Sequence, residues 1–238
     1  MNRQVHVLLA AIAALCLAPT TSIAAPIALT DASVIGGNHS IEGVWDFDMN
    51  VFGGGNITDG DKSEDGADSM WLANGSGFGP TEEVYLVIDL GDSYNIGQID
   101  LYNTHNRTGN NYGTNAFRIE ASNSVVDLGN PDDFDLSGTI STILSGNLSL
   151  TTGEDPVTTV DSFNSFTAHS EVAVRYLKFV SITGHHNYPE GPHEDYHNDR
   201  RGLNELEVSG TQQAPVPEPS TLVLAVLGLL GFTRRRGK

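Results

Sequence analysis

Three stretches of the 238-residue chain hold side chains whose types and spacing could do chemistry. The first runs from Asp59-Gly60-Asp61 through Glu64 and Asp65 to Asp68. Calcium takes about six to eight hard oxygens, from carboxylates and from the carbonyls of a tightly turned loop. Acids alternating around a glycine can supply both. The ligand spacing and closing glutamate of an EF-hand are missing, so two readings stand: a calcium loop of another kind, or a solvated acidic turn. The second stretch runs from Gly184 to His197 and holds half of the eight histidines. Within it His193-Glu194-Asp195-Tyr196-His197 fits the H-E-x-x-H pattern, in which two histidines one helical turn apart hold zinc and the glutamate acts as base. The third is the connection from Asn103 to Thr114, where His105, Asn106, Arg107 and Tyr112 combine amide and guanidinium donors with an aromatic face. That is the set with which proteins grip sugar hydroxyls and stack on a sugar ring. The alternative there is an Asn/Gly-rich turn with incidental polar residues.

The zinc reading is the weaker one for the second stretch. Pro192, the acids after it, and Arg200, Arg201 and Gly202 do suit a short helix. Only Tyr196 could anchor that helix, however, and no third ligand follows at the spacing of the common proteases. A polar loop at the rim of a β-domain accounts for the stretch better, with His186, Tyr188 and Arg200 as candidate glycan contacts. No G-x-S-x-G turn and no phosphate-binding loop occurs elsewhere, so the chain is expected not to be an enzyme.

The elements that must position these residues are short β-rich runs bounded by Gly, Asn, Asp and Pro. Val84–Leu90, Gly97–Tyr102, Phe117–Ala121, Val174–Val180 and Leu203–Val208 are the clearest. Ile99 and Leu101 alternate with Gln98, Asp100 and Tyr102, which predicts a strand buried on one face. In the fourth run Val174 and Tyr176 are expected to share one face, opposite Arg175, Leu177 and Phe179, with both faces partly covered. No sustained helical period and no repeat is visible. The expected fold is all-β, an antiparallel jelly-roll β-sandwich over residues 26–212.

Both ends read as addresses. Residues 1–24 resemble a secretory signal peptide, with Arg3 and His6, an apolar run Val7–Ala18, and Ser22-Ile23-Ala24 at the cleavage site. Cys16, the only cysteine, lies inside it, so the mature chain forms no disulfide. Residues 215–238 hold Pro217-Glu218-Pro219, an apolar run Leu222–Phe232 expected to be helical, and a terminal cluster of three arginines and Lys238. Eleven apolar residues are well short of the roughly 20 that span a bilayer. This trio resembles the PEP-CTERM sorting signal of Gram-negative bacteria. The resemblance implies export, transient inner-membrane anchoring, recognition by an exosortase, and a destination at the cell surface or in an exopolysaccharide matrix.

The body carries a second resemblance. Thr58-Asp59-Gly60-Asp61, then Trp71, then Val84 to Gly91 is similar to the opening of a discoidin domain, the coagulation factor V/VIII C-terminal type within the galactose-binding-like group. Asn115 to Ser122 resembles its strand ending in Ala-Ser. Arg175 to Phe179 followed by Gly202 to Val208 resembles its last strand pair. The segment from Asp59 to Trp71 is longer than usual for that family. The resemblance implies a structural calcium held by Asp59, Asp61 and Glu205, and a ligand site among the loops at one end of the sandwich, with extracellular glycan or polysaccharide as partner. Discoidin domains also bind proteins, so a protein–protein adhesion or scaffold module is the alternative.

Charge narrows the partners. The chain has 30 acids against 12 Lys and Arg. Five of those bases sit in the terminal addresses, leaving 29 acids and 7 bases between Pro26 and Pro217. A surface this acidic repels phosphate backbones, which excludes nucleic acid, and it favours a neutral over an anionic polysaccharide.

Overall fold

In the computed structural model the described residues are 24–38, 54–60, 62, 71–73, 83–104, 113–129, 133–149, 163–168, 170, 172–185 and 201–213. The signal-peptide and sorting-helix expectations lie outside them. The strands, in chain order, are β1 (Ala25–Pro26), β2 (Val34–Gly37), β3 (Trp71–Ala73), β4 (Val84–Tyr102), β5 (Ala116–Ser122) and β6 (Ser124–Asp127). They continue with β7 (Phe134–Ser137), β8 (Ser141–Asn147), β9 (Phe163–Thr167), β10 (Val174–Ser181), β11 (Arg201–Leu203) and β12 (Glu205–Gln212). Two 3-10 turns, Asp31–Ser33 and Gly54–Thr58, are the only helical elements among the described residues. The pairing between named strands is antiparallel throughout. The expected antiparallel β-sandwich is the fold.

Sequence reading expects two strands, Val84–Leu90 and Gly97–Tyr102, where the structure has one. β4 continues through both and belongs to two layers. Its first half lies between β2 and β10, with β5 and β8 beyond; its second half lies between β12 and β9. The passage between the layers is at Gly91, whose φ of 79° is open to glycine without strain. Asp89 Oδ1 accepts the Gly91 N–H at 2.8 Å, and Asp92 Oδ1 accepts that of Ser93 at 2.8 Å, so two aspartates hold the corner by local side-chain turns. Arg175 closes it from β10 with a fork on Asp89, Nε to Oδ1 at 2.9 Å and Nη2 to Oδ2 at 2.8 Å.

Between the layers lies the main core. Val84, Leu86, Ile88 and Leu90 point in from the first half of β4, and Ile96, Ile99 and Leu101 from the second. The expected alternation of Ile99 and Leu101 against outward Gln98, Asp100 and Tyr102 is observed. Phe117 and Phe179 stack at 6.1 Å between ring centroids, and Trp71 meets Phe179 edge-on at 6.1 Å. Val174 differs from its expected place: it joins Leu177 and Phe179 in this core, because an irregularity between Val174 and Tyr176, at the β4 corner, shifts the register by three residues.

The outer face of the first layer is covered as well. The β6–β7 hairpin folds over it, and Leu136 packs with Tyr85, Val87 and Val180 in a second, smaller cluster. This is why β10 reads as apolar on both faces. The seam is fastened by Lys178, whose Nζ lies 2.6 Å from Asp135 Oδ1, 4.0 Å from Glu120 and 3.7 Å from the centre of the Tyr85 ring.

Candidate functional site

The candidate glycan contacts His105, Asn106, Arg107, Tyr112, His186, Tyr188 and Arg200 lie outside the described residues, as does the His193–His197 segment. What the structure does describe is where the connections that carry them begin and end. β4 finishes at Tyr102, and the chain enters the first connection through Asn103 and Thr104, both fully buried. Asn103 Nδ2 donates to the Thr114 carbonyl at 2.9 Å and to the Ser149 carbonyl at 3.0 Å. The first bond ties the exit of that connection to its entrance; the second brings in the start of the connection from β8 to β9.

The return of this connection meets the 186–200 connection at both of its ends. Gly113 bridges to Gly202 and Thr114 to Gly184, with the Thr114 N–H on the Gly202 carbonyl at 3.0 Å and the His185 N–H on the Gly113 carbonyl at 2.9 Å. Thr114 Oγ1 lies 2.9 Å from both Ser181 Oγ and the Gly202 carbonyl. His185 Nε2 stands 3.0 Å from the Leu148 carbonyl and pulls the third connection to the same point. Gly113 must be glycine: a Cβ there would press on the Thr104 carbonyl oxygen and come within 2.7 Å of Asn103 Oδ1. The structure therefore roots the two sequence-predicted sugar loops side by side at one end of the sandwich. The residues that root them, Asn103, Thr104, Thr114 and His185, were not among the sequence candidates.

Of the calcium candidates, Asp59 and Glu205 are described and Asp61 is not. Glu205 opens β12 opposite Tyr102 and is 3% exposed. Its Oε2 accepts the Gly60 N–H at 3.2 Å, and Gly60 turns with φ 86°, so the Asp59–Gly60 turn sits directly on the Glu205 carboxyl. Burial pushes that carboxyl up to about 8; the Gly60 N–H opposes the shift, and the charges of Asp59 and Glu207 add to it. Lys62 offsets the shift only in small part, because its Nζ is held by Glu207 at 2.8 Å over the Tyr102 ring. A buried carboxyl against an acidic turn is a hard-oxygen donor set short of positive charge. Among the described residues no group of three or more His, Cys, Asp or Glu stands close enough to hold a metal ion.

Residues 215–237 match the family model described as the PEP-CTERM protein-sorting motif. The chain carries that sorting motif. The PEP-CTERM match falls one residue short of the tail read from sequence and begins just beyond Gln213, the last described residue. No helix among the described residues is long and apolar enough to cross a membrane. No curated protein sequence matches the chain. Among solved structures, the C-terminal domain of a chitobiase from Bacteroides fragilis is 19% identical with a TM-score of 0.50, covering 80% of this chain and all of that domain. A SusE-like protein is 14% identical with a TM-score of 0.51, over 82% of this chain and 69% of that one. A family 32 carbohydrate-binding module from Clostridium perfringens NanJ, solved with galactose, is 15% identical at a TM-score of 0.46, over 79% and 99%. At these identities the first two likenesses show a shared sandwich fold.

Proposed function

We propose that this PEP-CTERM chain is an exported, non-catalytic protein of the Gram-negative cell surface or extracellular matrix, whose sandwich binds glycan with its loop end. In this reading the signal peptide 1–24 exports it, the tail holds it transiently at the inner membrane, and an exosortase processes it there. The observation that carries the binding reading is the pair of bridges, Gly113 to Gly202 and Thr114 to Gly184, that root the 105–112 and 186–200 connections together. His105, Asn106, Arg107 and Tyr112 then come from one connection, and His186, Tyr188 and Arg200 from the other. Amide and guanidinium forks donate to sugar hydroxyls, and Tyr and His rings cover the C–H face of the ring. The fold shared with a chitobiase C-terminal domain supports this reading, as does the discoidin resemblance. The acid excess of the body favours a neutral glycan.

A structural calcium belongs to the same proposal. Asp59, Asp61 and Glu205 would hold it, and it would supply the positive charge that the buried Glu205 carboxyl lacks. A glycan array probed with the chain tests the binding reading. Reproducible binding to a neutral sugar that His105→Ala reduces tenfold or more is the expected result. A blank array would sink it in favour of the adhesion or scaffold reading.

A further inference from the structure

The two membrane-directed segments of this chain flank the sandwich in sequence, and the strand register decides where they leave it. β1 lies antiparallel on β12, with Ala25 opposite Gly210 and Pro26 opposite Ser209, and the Ile27 N–H reaches the Val208 carbonyl at 2.8 Å. In an antiparallel pair, chain upstream of one strand and chain downstream of the other run the same way. Residues before Ala25 and after Gly210 therefore depart in one direction. The end they depart from is the Gly91 corner: Gln212 pairs with Tyr94, its side chain donates to Asp92 Oδ2 at 2.6 Å, and the Gln213 N–H lies on the Ser93 carbonyl at 3.0 Å.

The rooted loops lie at the other end of the same ladder. β12 pairs with β4 from Glu205 opposite Tyr102 to Gln212 opposite Tyr94, an advance of eight residues along β4, or roughly 26 Å at about 3.3 Å per residue. Val84, at the start of β4, pairs with Ser181, the residue that Thr114 also touches, so both ends of β4 lie at the loop end and its Gly91 corner alone lies opposite.

We infer that the sandwich stands on the membrane by its Gly91 corner, with the rooted loops aimed away from the bilayer, while its tail is engaged. The membrane partner is then a zwitterionic phospholipid surface, which carries no net charge to repel the acidic body, met by the corner formed by Gly91–Ser93 and the ends of β1 and β12. The loop end stays open to a ligand outside while the chain is still anchored. The inference rests on the proposed membrane engagement of the PEP-CTERM tail and not on the identity of any glycan.

The full chain with Cys16→Ser carries no thiol, so one fluorophore can be placed at Asn95→Cys near the corner or at Asn147→Cys near the loops; both positions are exposed. Each labelled protein is reconstituted into zwitterionic phospholipid vesicles that contain an energy-acceptor lipid, and vesicle-bound protein is isolated by flotation. Several-fold stronger energy transfer from position 95 than from position 147 is expected. Floating protein with equal or reversed transfer would overturn the orientation. Protein that does not float would overturn the anchoring beneath it.

Discussion

Replacing Glu205 by glutamine isolates one buried charge without changing side-chain shape. Glutamine still offers an oxygen to the Gly60 N–H, so the turn keeps its contact while the carboxyl is lost. With an ordinary value of 4.5 and a folded value of about 8, Glu205 is an acid whose folded-state affinity for protons is raised. The sign follows. Below about pH 4.5 the group is protonated in both states and costs nothing; above that pH the unfolded chain ionises first, and stability falls until about pH 8, where the folded carboxyl ionises too. At 1.36 kcal/mol per pKa unit, the loss between pH 5 and pH 8 comes to about 3 to 4 kcal/mol in calcium-free buffer. For a domain of this size that lowers Tm by roughly 10 °C. Chemical denaturation of wild type and Glu205→Gln in EDTA, at pH 5 and at pH 8, reads the difference directly. The variant should match wild type within about 1 kcal/mol at pH 5 and exceed it by several at pH 8. Added calcium should reverse the order at pH 8, since it binds the folded carboxylate and stabilises wild type by mass action. Parallel pH dependence in the two proteins would refute the buried-charge argument. A wild type indifferent to calcium would refute the ion site.

Two further substitutions separate the loop roots from the scaffold. Gly113→Ala puts a methyl group against Thr104 and Asn103 backbone and amide atoms that cannot move without opening the Thr114 and Ser149 bonds. It should destabilise by about 1 to 3 kcal/mol in denaturant titrations and weaken glycan binding more than it weakens the fold. Lys178→Met leaves Asp135 without its cation; hydrogen exchange should speed up across residues 124–137 while β4 and β5 stay protected, at a cost of about 1 to 3 kcal/mol.

The parts legible in the sequence are those set by near neighbours or by a family pattern. The alternation around Ile99 and Leu101 needs only one strand and one core, and the apolar faces of Val174–Val180 announce cover on both sides. The discoidin resemblance brings Glu205 to the Asp59 turn from 145 residues away, and the structure brings them together. The corner at Gly91 was not legible. Gly-Asp-Ser reads as the end of a strand, and only pairing with β10 before it and β12 after it makes the strand continuous. The loop roots were not legible either. Asn103 looks like every other residue of an Asn/Gly-rich turn, and what makes it structural is its full burial and two carbonyls, one of them 46 residues along the chain. The irregularity that returns Val174 to the core leaves no local mark.

The scarcity of positive charge in the body sharpens the binding argument. Of its seven bases, five are described, and each serves the fold. Lys62 is held by Glu207, Arg118 by Glu83 and Glu120, Arg175 by Asp89, and Lys178 by Asp135. Arg201 is 1% exposed and donates to the Ser181 carbonyl at 3.2 Å. The other two, Arg107 and Arg200, belong to the two connections whose ends the Gly113 and Thr114 bridges join. In the proposed glycan reading these two guanidinium groups are the charged donors offered to the ligand. Guanidinium forks recognise vicinal hydroxyls as well as anions, and in that reading the acid excess of the body favours an uncharged sugar over an anionic one.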